Sequence, residues 1–347
     1  MDVRSRTVEK EHNTLRYHLL FQFNDNSRIL WQIWWGVSSR RLLMEKMWLL
    51  DAAADGDPEK LYDFHRNRSL RTGSGQEIKG LIAIGSVLSV IEPSEATQHH
   101  EKVREVLDWC RRITSLELLS PVAMRSKDRG TPGGIGTRGQ RLSGFLAALD
   151  AKTRGRIVER LADFYPLQTL STTRKRAGWV DLRIAEQYNI GAVDAQHVSD
   201  GFLRLLALCA IPEFGTQSSL VLLDEIEDGI EPHILPRIIE RVVNDSSAQF
   251  VMTSHSPLLV NFFPVEDITL VFRSEEGRSK FVPATALKTM SGGLEYFGPG
   301  EIWANSGLDT LNQDALTASL AREESRAASE KADPGSDLWV SQFMRRP

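Results

Sequence analysis

The 347-residue chain has only two cysteines, Cys110 and Cys209, and no uninterrupted apolar run of membrane-spanning length. Two isolated cysteines argue against a disulfide framework and against a cysteine-based zinc site. The charged start, MDVRSRTVEKEH, lacks the apolar core of a signal peptide. A formal net charge of -4 argues against a uniformly basic nucleic-acid-binding protein. We therefore expect a cytoplasmic protein without a membrane segment.

A second absence concerns phosphate binding, since no G-x-x-x-x-G-K-[ST] sequence occurs between Met1 and Pro347. The nearest lysine-bearing, Gly-rich sequence, Gly73 to Lys79, has the wrong spacing and no Ser or Thr after the lysine. The segment Arg125 to Arg141 is Gly-rich and basic, but it lacks the strand-loop-helix order of a phosphate loop. A flexible loop is the simpler interpretation of that segment.

The N-terminal part favours strands, because branched and aromatic residues recur between turn residues. The predicted strands are Leu15 to Phe23, Ile29 to Val37, Leu42 to Leu50 and Lys60 to His65. We interpret residues 1–75 as an antiparallel meander of the fold.

The rest of the chain predicts three further regions of an α/β protein. Residues 76–178 form a helical lobe with the Gly-rich basic loop, and the periodicity predicts helices over 78–113 and 142–165. Residues 179–310 alternate strand and helix patterns, which predicts a parallel-sheet catalytic lobe with a helix from Asp200 that Pro212 ends. Residues 311–347 predict a charged helix that fades into a partly disordered tail.

Two carboxylates follow the apolar run LVLL at 220–223. A buried parallel strand that ends in Asp224 and Glu225 places both at the sheet edge where open α/β sheets bind ligands. There Asp224 could hold Mg²⁺ and Glu225 could polarise an attacking water. The simpler alternative is a strand that ends in a polar turn.

His255 follows the next predicted strand, in the sequence TSHSP. Adjacent parallel strands would bring it to the edge that carries Glu225, where its imidazole could donate a hydrogen bond to a terminal phosphate. For one histidine alone, a capping or core role is the usual interpretation.

Ser199, Asp200 and Gly201 stand at the start of a predicted buried helix. The hydroxyl, the free backbone amides and the positive end of the helix dipole can together bind an anion. A plain helix cap explains the same residues.

The order Ser199-Asp200-Gly201-x-x-Arg204, LVLLDEIED and TSHSP resembles the ABC-type P-loop ATPases of the SMC, RecF and overcoming-lysogenization-defect lineage, within the bacterial "AAA family" ATPases. The resemblance implies a partial ABC-type P-loop NTPase fold that uses ATP and Mg²⁺. It implies that Ser199 to Gly201 form the signature motif, which contacts the γ-phosphate bound by the opposite protomer. It assigns Asp224 and Glu225 to Walker B, Asp228 to the D-loop and His255 to the switch.

This sequence departs from the family pattern by starting at the meander, without the Walker A segment. We therefore expect little ATPase activity from the chain alone, through truncation or specialisation, and a nucleotide-driven dimerisation switch in an intact homodimer. The alternative is a non-catalytic subunit that lends its signature helix to a Walker-A-bearing partner. A third hypothesis, a DNA-associated repair or defence effector, depends on family analogy alone.

Overall fold

A computed structural model of the chain describes residues 14–50, 58–65, 69–81, 85–117, 120–129, 133–188, 190–215, 218–274 and 279–331. Within these ranges the contacts form two compact units. Unit 1 comprises the described residues within 1–108, 270–282 and 312–347, and unit 2 comprises those within 109–269 and 283–311. The predicted division at 1–75, 76–178, 179–310 and 311–347 stays a prediction, and the predicted disordered end of the tail, 332–347, lies outside the described residues.

Unit 1 contains a six-stranded antiparallel sheet in which each strand pairs with the next along the chain. Its strands are β1 (Thr14–Gln22), β2 (Arg28–Gly36), β3 (Arg41–Leu50), β4 (Glu59–His65), β5 (Ser69–Thr72) and β6 (Glu77–Lys79). The predicted meander is confirmed, and two short strands extend it.

A buried carboxylate links strands of this sheet. Glu45 on β3 is fully buried and accepts hydrogen bonds from Trp31 Nε1 and Tyr62 OH, both at 2.9 Å, from Ser86 Oγ and from the Val87 amide. Burial raises the pKa of Glu45, although the four donors act in the opposite direction. Each donor satisfies a polar atom that would otherwise be costly to bury.

Two helices follow the sheet, α1 (Pro93–Ala96) and α2 (His100–Arg111). The helix predicted over 78–113 is wrong at its start, because Glu77–Lys79 pairs with β5 as a strand. Gly75, at φ +87°, makes the tight turn that allows this pairing, and the Thr72 amide donates to Gln76 O at 2.9 Å. Ile78 therefore belongs to a strand, residues 82–84 lie outside the described residues, and the spacing around Val103 and Val106 is that of α2.

Unit 2 is built around one long buried helix, α6, in a set of helices and strands that occupies most of the remaining chain. In chain order these are β7 (Ile113–Leu116), α3 (Pro121–Met124), α4 (Leu142–Ala148), α5 (Ala151–Ala162), β8 (Leu167–Arg174), β9 (Val180–Glu186), β10 (Val193–Asp194), α6 (Asp200–Gly215), β11 (Leu220–Leu223), α7 (Leu235–Asn244), β12 (Gln249–Met252), α8 (Pro257–Val260), β13 (Thr269–Arg273), β14 (Ser279–Pro283), α9 (Lys288–Gly293), α10 (Pro299–Asn305) and α11 (Leu308–Lys331). Four elements, α2, β13, β14 and α11, cross the division between the units.

The helix α6 has an almost continuous apolar sequence because it is buried along most of its length, from Phe202 to Phe214. The prediction that Pro212 ends this helix is wrong, since the helix continues to Gly215 with the proline inside it. Burial stabilises the last turn although Pro212 cannot donate a backbone hydrogen bond. The predicted helix 142–165 is instead two helices, because the Asp150 carboxylate accepts the Thr153 amide and starts α5.

Two sheets organise unit 2. The strands β7, β11 and β12 form a parallel sheet in which β11 is central, and α7 connects β11 to β12 as the predicted βαβ crossover. The strands β8, β9 and β10 form a separate antiparallel sheet. The strands β13 and β14, most of whose residues belong to unit 1, pair with each other in a two-stranded sheet.

Candidate functional site

Three parallel strands of unit 2, β7, β11 and β12, end at the same edge of their sheet. The candidate site lies at this edge. The last residue of β11, Leu223, is paired with Leu116 on one side and with Met252 on the other. The pairing continues one residue further, because the Asp224 amide donates to Leu116 O at 3.2 Å and the Thr253 amide donates to Leu223 O at 2.9 Å. Asp224 and Thr253 therefore lie side by side at the carboxyl edge of the sheet.

The hydroxyl of Thr253 links both candidate carboxylate residues. Its Oγ1 donates to Asp224 Oδ1 at 2.5 Å and accepts the Glu225 amide at 2.9 Å. This hydroxyl fixes one oxygen of Asp224 and leaves the exposed carboxylate turned to the sheet edge. Sequence reasoning missed Thr253, although the sequence shows its signal, a hydroxyl at the first position after a strand that ends at a candidate catalytic edge.

The backbone of Glu225 is in the left-handed region at φ +48°. The next amide, that of Ile226, donates to Thr253 O at 3.3 Å, and Ile226 is buried. The chain therefore turns sharply after Asp224, with the Glu225 side chain exposed. Left-handed backbone in a residue other than glycine is concentrated at functional sites.

His255 lies two residues beyond Thr253, with its side chain exposed. Its backbone amide donates to Glu227 Oε1 at 2.5 Å, so the two segments that follow β11 and β12 are tied together. The other oxygen of Glu227 is buried without a hydrogen-bond partner among the described residues. The structure thus brings the backbone of His255 to the segment that carries Asp224 and Glu225.

The start of α6 forms the other part of the site. Ser199 Oγ accepts the Phe202 amide at 3.2 Å, so Ser199 caps the helix. Asp200 is paired with Arg125 at 2.6 Å, and Arg125 also donates to Val198 O at 2.7 Å. Arg125 therefore holds the segment that enters α6, a role that the sequence did not indicate.

Two glycines let this helix approach the loop after β11 closely. A Cβ atom on Gly201 would lie 2.8 Å from Gly229 O, and one on Gly229 would lie 2.2 Å from Arg204 Nη1. Gly229 is also in the left-handed region at φ +64°. Arg204, one turn along α6, is paired with Asp228 at 2.7 Å. Asp228 and Gly201 are thus adjacent parts of one surface, joined through Arg204 and Gly229.

The donor set is compatible with Mg²⁺. Within the described ranges, no group of three or more His, Cys, Asp or Glu side chains could form a protein-only metal site. Mg²⁺ usually takes one or two carboxylates and completes its shell with water and substrate phosphates. Asp224, exposed and fixed by Thr253, has the chemistry for such a ligand.

This arrangement, with an acidic residue pair at the end of a central parallel strand and a histidine after its neighbour, is the one expected of a P-loop ATPase domain. The chain belongs to the family described as "AAA domain, putative AbiEii toxin, Type IV TA system", whose sequence profile matches residues 3–261. The resemblance to ABC-type P-loop ATPases is confirmed by this match. No curated protein is significantly similar in sequence.

Some solved structures are distantly similar to this chain. One is an SMC head bound to the C-winged helix domain of ScpA, at 12% identity and a TM-score of 0.45. Another is the SMC head domain from Thermotoga maritima, at 11% identity and a TM-score of 0.39. Each comparison covers 78% of this chain and 74% of the other. Among the described residues, no helix combines the length and the apolar character needed to span a membrane.

Proposed function

We propose that the chain carries the hydrolytic side of an ATP-driven dimerisation switch. Asp224 would hold the Mg²⁺ that neutralises the phosphate charge, and Glu225 would orient the attacking water. His255 would donate to the terminal phosphate. Ser199 and Gly201 would contact the γ-phosphate bound by an opposite protomer, with Asp228 beside them.

The observation that supports this proposal most strongly is the common end of β7, β11 and β12. It places Asp224, Glu225 and Thr253 in one hydrogen-bonded group at the sheet edge. A polar turn after β11 would need neither the link through Thr253 nor the left-handed backbone at Glu225. Phosphoryl transfer depends mainly on such positioning of charges around the phosphate.

The α6 surface adds support for the dimer part of the proposal. The helix start is exposed at Ser199 and Asp200. Its position is fixed by the ion pair of Arg125 with Asp200 and by that of Arg204 with Asp228. A helix start fixed in this way offers backbone amides and dipole to an anion on another chain. A cytoplasmic location, expected from the two isolated cysteines, is part of the same proposal.

In a second possible function the chain uses the same α6 surface, but another chain binds the nucleotide. In this second function the cationic cradle for the phosphates is supplied by another chain, since the printed sequence contains no G-x-x-x-x-G-K-[ST] loop. In that case the chain lends α6 to a partner that carries the loop, and the partner binds the nucleotide.

Titration calorimetry with Mg·ATP separates these two functions. The switch predicts saturable binding by the chain alone, together with ATP-dependent association of two copies in sedimentation. The lending subunit predicts no binding alone and hydrolysis only in a mixture with a loop-bearing chain. Absence of Mg·ATP binding and of hydrolysis in both settings would refute both functions.

A further inference from the structure

A basic cleft lies at the tip of the β8–β9 hairpin, within unit 2. It is open, has a volume of about 710 Å³ and is lined by Lys127, Lys175, Arg176 and Trp179. We call it the hairpin cleft. No residue of the ATPase site described above lines it.

The fold brings two distant basic segments together to form this cleft. The hairpin ends at the pair Arg174 and Val180, and its turn places Ala177 and Gly178 in the left-handed region, at φ +64° and +81°. The segment that contains Lys127 lies against the hairpin because the Val180 amide donates to Asp128 O at 2.8 Å. The cleft is therefore built by backbone pairing as well as by side chains.

A buried carboxylate fixes the two lysines of the cleft. Asp181 is only 6% exposed and pairs with Lys127 at 2.9 Å and with Lys175. Lys175 and then Lys127 lower the pKa of Asp181. Each ammonium has three N–H donors, so a lysine that binds Asp181 keeps donors for a second anion.

Trp179 gives the cleft an aromatic surface. The indole is 40% exposed, and the guanidinium of Arg129 lies 4.7 Å from the centre of its ring. The arginine holds the ring in place, and the exposed part of the indole is available to a planar ligand. An exposed, fixed indole surrounded by cations is typical of a surface on which a base stacks.

The local charge is opposite in sign to that of the whole chain. Four cationic side chains lie at the cleft, Arg174 precedes them at the end of β8, and three carboxylates lie near them. The four cations are Lys127, Arg129, Lys175 and Arg176, and the carboxylates are Asp128, Asp181 and Asp194. A positive cleft on a chain of net charge -4 concentrates an anionic ligand at one place.

We propose that the hairpin cleft binds single-stranded nucleic acid. Phosphates contact Arg174, Lys175 and Arg176, and one unpaired base stacks on Trp179. Cations alone would accept any polyanion, whereas the indole requires a base that is not paired in a duplex. The assignment is independent of the ATPase function, because the cleft uses other residues.

Fluorescence anisotropy of a labelled oligothymidylate, about 16 nucleotides long to match a small binding domain, tests this site. The double variant Arg174→Ala/Arg176→Ala removes charge and leaves the pairs with Asp181 intact. Trp179→Ala removes the stacking surface, and Trp179→Leu keeps apolar bulk in case the alanine variant fails to fold. Lys152→Ala/Lys288→Ala removes the same charge from exposed sites on α5 and α9 and is the matched control.

We expect Trp179→Ala and Trp179→Leu to weaken binding about tenfold, which corresponds to the loss of one stacked base. The arginine variant should reduce the slope of log affinity against log salt by about 0.7 for each lost phosphate contact. The control should bind like the wild type. Equal affinity for a duplex of the same length, equal affinity of wild type and both Trp179 variants, or no binding by the wild type would each overturn the proposal.

Discussion

At the scale of single residues, the conformation of Glu225 links stability to function. The left-handed backbone conformation costs a residue with a Cβ atom about 1–2 kcal/mol. Glu225 is held in this conformation by the hydrogen bond that its backbone amide donates to Thr253 Oγ1. A glycine would adopt this backbone without that cost. The position keeps a carboxylate in spite of the strain, which is the pattern expected where the side chain has chemistry to perform.

We expect Glu225→Gly to be more stable than Glu225→Ala by about 1 kcal/mol, since both remove the carboxylate and only glycine relieves the strain. Urea unfolding of the two variants measures the difference. An alanine variant as stable as the glycine variant would show that the left-handed conformation costs little.

The sequence predicted Asp224, Glu225 and His255 as neighbours because strand ends can be recognised from apolar runs. The roles of Thr253 and Arg125 were missed, although a hydroxyl directly after β12 is a signal for Thr253. Their roles depend on the register between β11 and β12 and on the path of the chain around Val198, which are tertiary features. A hydroxyl or a guanidinium makes such contacts only when the fold supplies a partner.

At the scale of elements, the start of α6 is fitted against the loop after β11. Glycine inside a helix usually costs about 0.5–1 kcal/mol relative to alanine. At Gly201 the opposite sign is expected, because a Cβ atom would lie 2.8 Å from the Gly229 carbonyl oxygen. The close approach therefore explains the glycine better than helix propensity does.

Gly201→Ala should lower the free energy of unfolding, and Gly155→Ala should raise it by about 0.5–1 kcal/mol. Gly155 is the matched control, since it lies in α5 with open space at its Cβ position. Thermal or urea unfolding of both variants gives the comparison. A stabilised Gly201→Ala would mean that α6 and the loop are further apart than described.

Asp181 on β9 is expected to make the stability of the protein depend on pH. The lysines hold the pKa of Asp181 below its ordinary value, so the folded state favours the ionised form. The resulting stability is complete above the unfolded pKa of about 3.9 and is lost as pH falls through the lower, folded pKa.

Asp181→Asn should therefore flatten the fall in unfolding free energy on acidification below about pH 4. Asp309→Asn, at an exposed position of α11, is the control. Urea unfolding at several acidic pH values gives the two slopes. An Asp181→Asn slope identical to that of the wild type would rule out this contribution.

The strands that the sequence predicted correctly, such as β2 and β3, are rich in branched and aromatic residues and are bounded by turn residues. Errors arose where a tertiary contact outweighed the local pattern. The left-handed backbone of Gly75 allows a tight turn in a segment with helix-like spacing. The helix α6 continues beyond Pro212 because it is buried. The parallel strand β7 was missed because its sequence, ITSL, contains two polar residues and lacks the apolar run that marks β11.

At the scale of the whole molecule, the proposed switch needs α6 to face a second chain. Ser199→Arg should abolish ATP-dependent association, because a bulky side chain would occupy the site of the γ-phosphate. Gln196→Arg, an exposed change just before the helix, adds the same charge and should leave association intact. Sedimentation velocity with and without Mg·ATP compares them, and an unaffected Ser199→Arg dimer would contradict the role of α6.

The most direct measurement is phosphate release from Mg·ATP by the wild type and by Glu225→Gln, each with the loop-bearing partner where one is required. The account predicts that the variant loses about 10²-fold or more of the rate and still associates in the presence of ATP. The Thr253 contacts should survive, because the substitution changes no backbone group. An unchanged rate of phosphate release in Glu225→Gln would contradict the assignment of this sheet edge as the hydrolytic site.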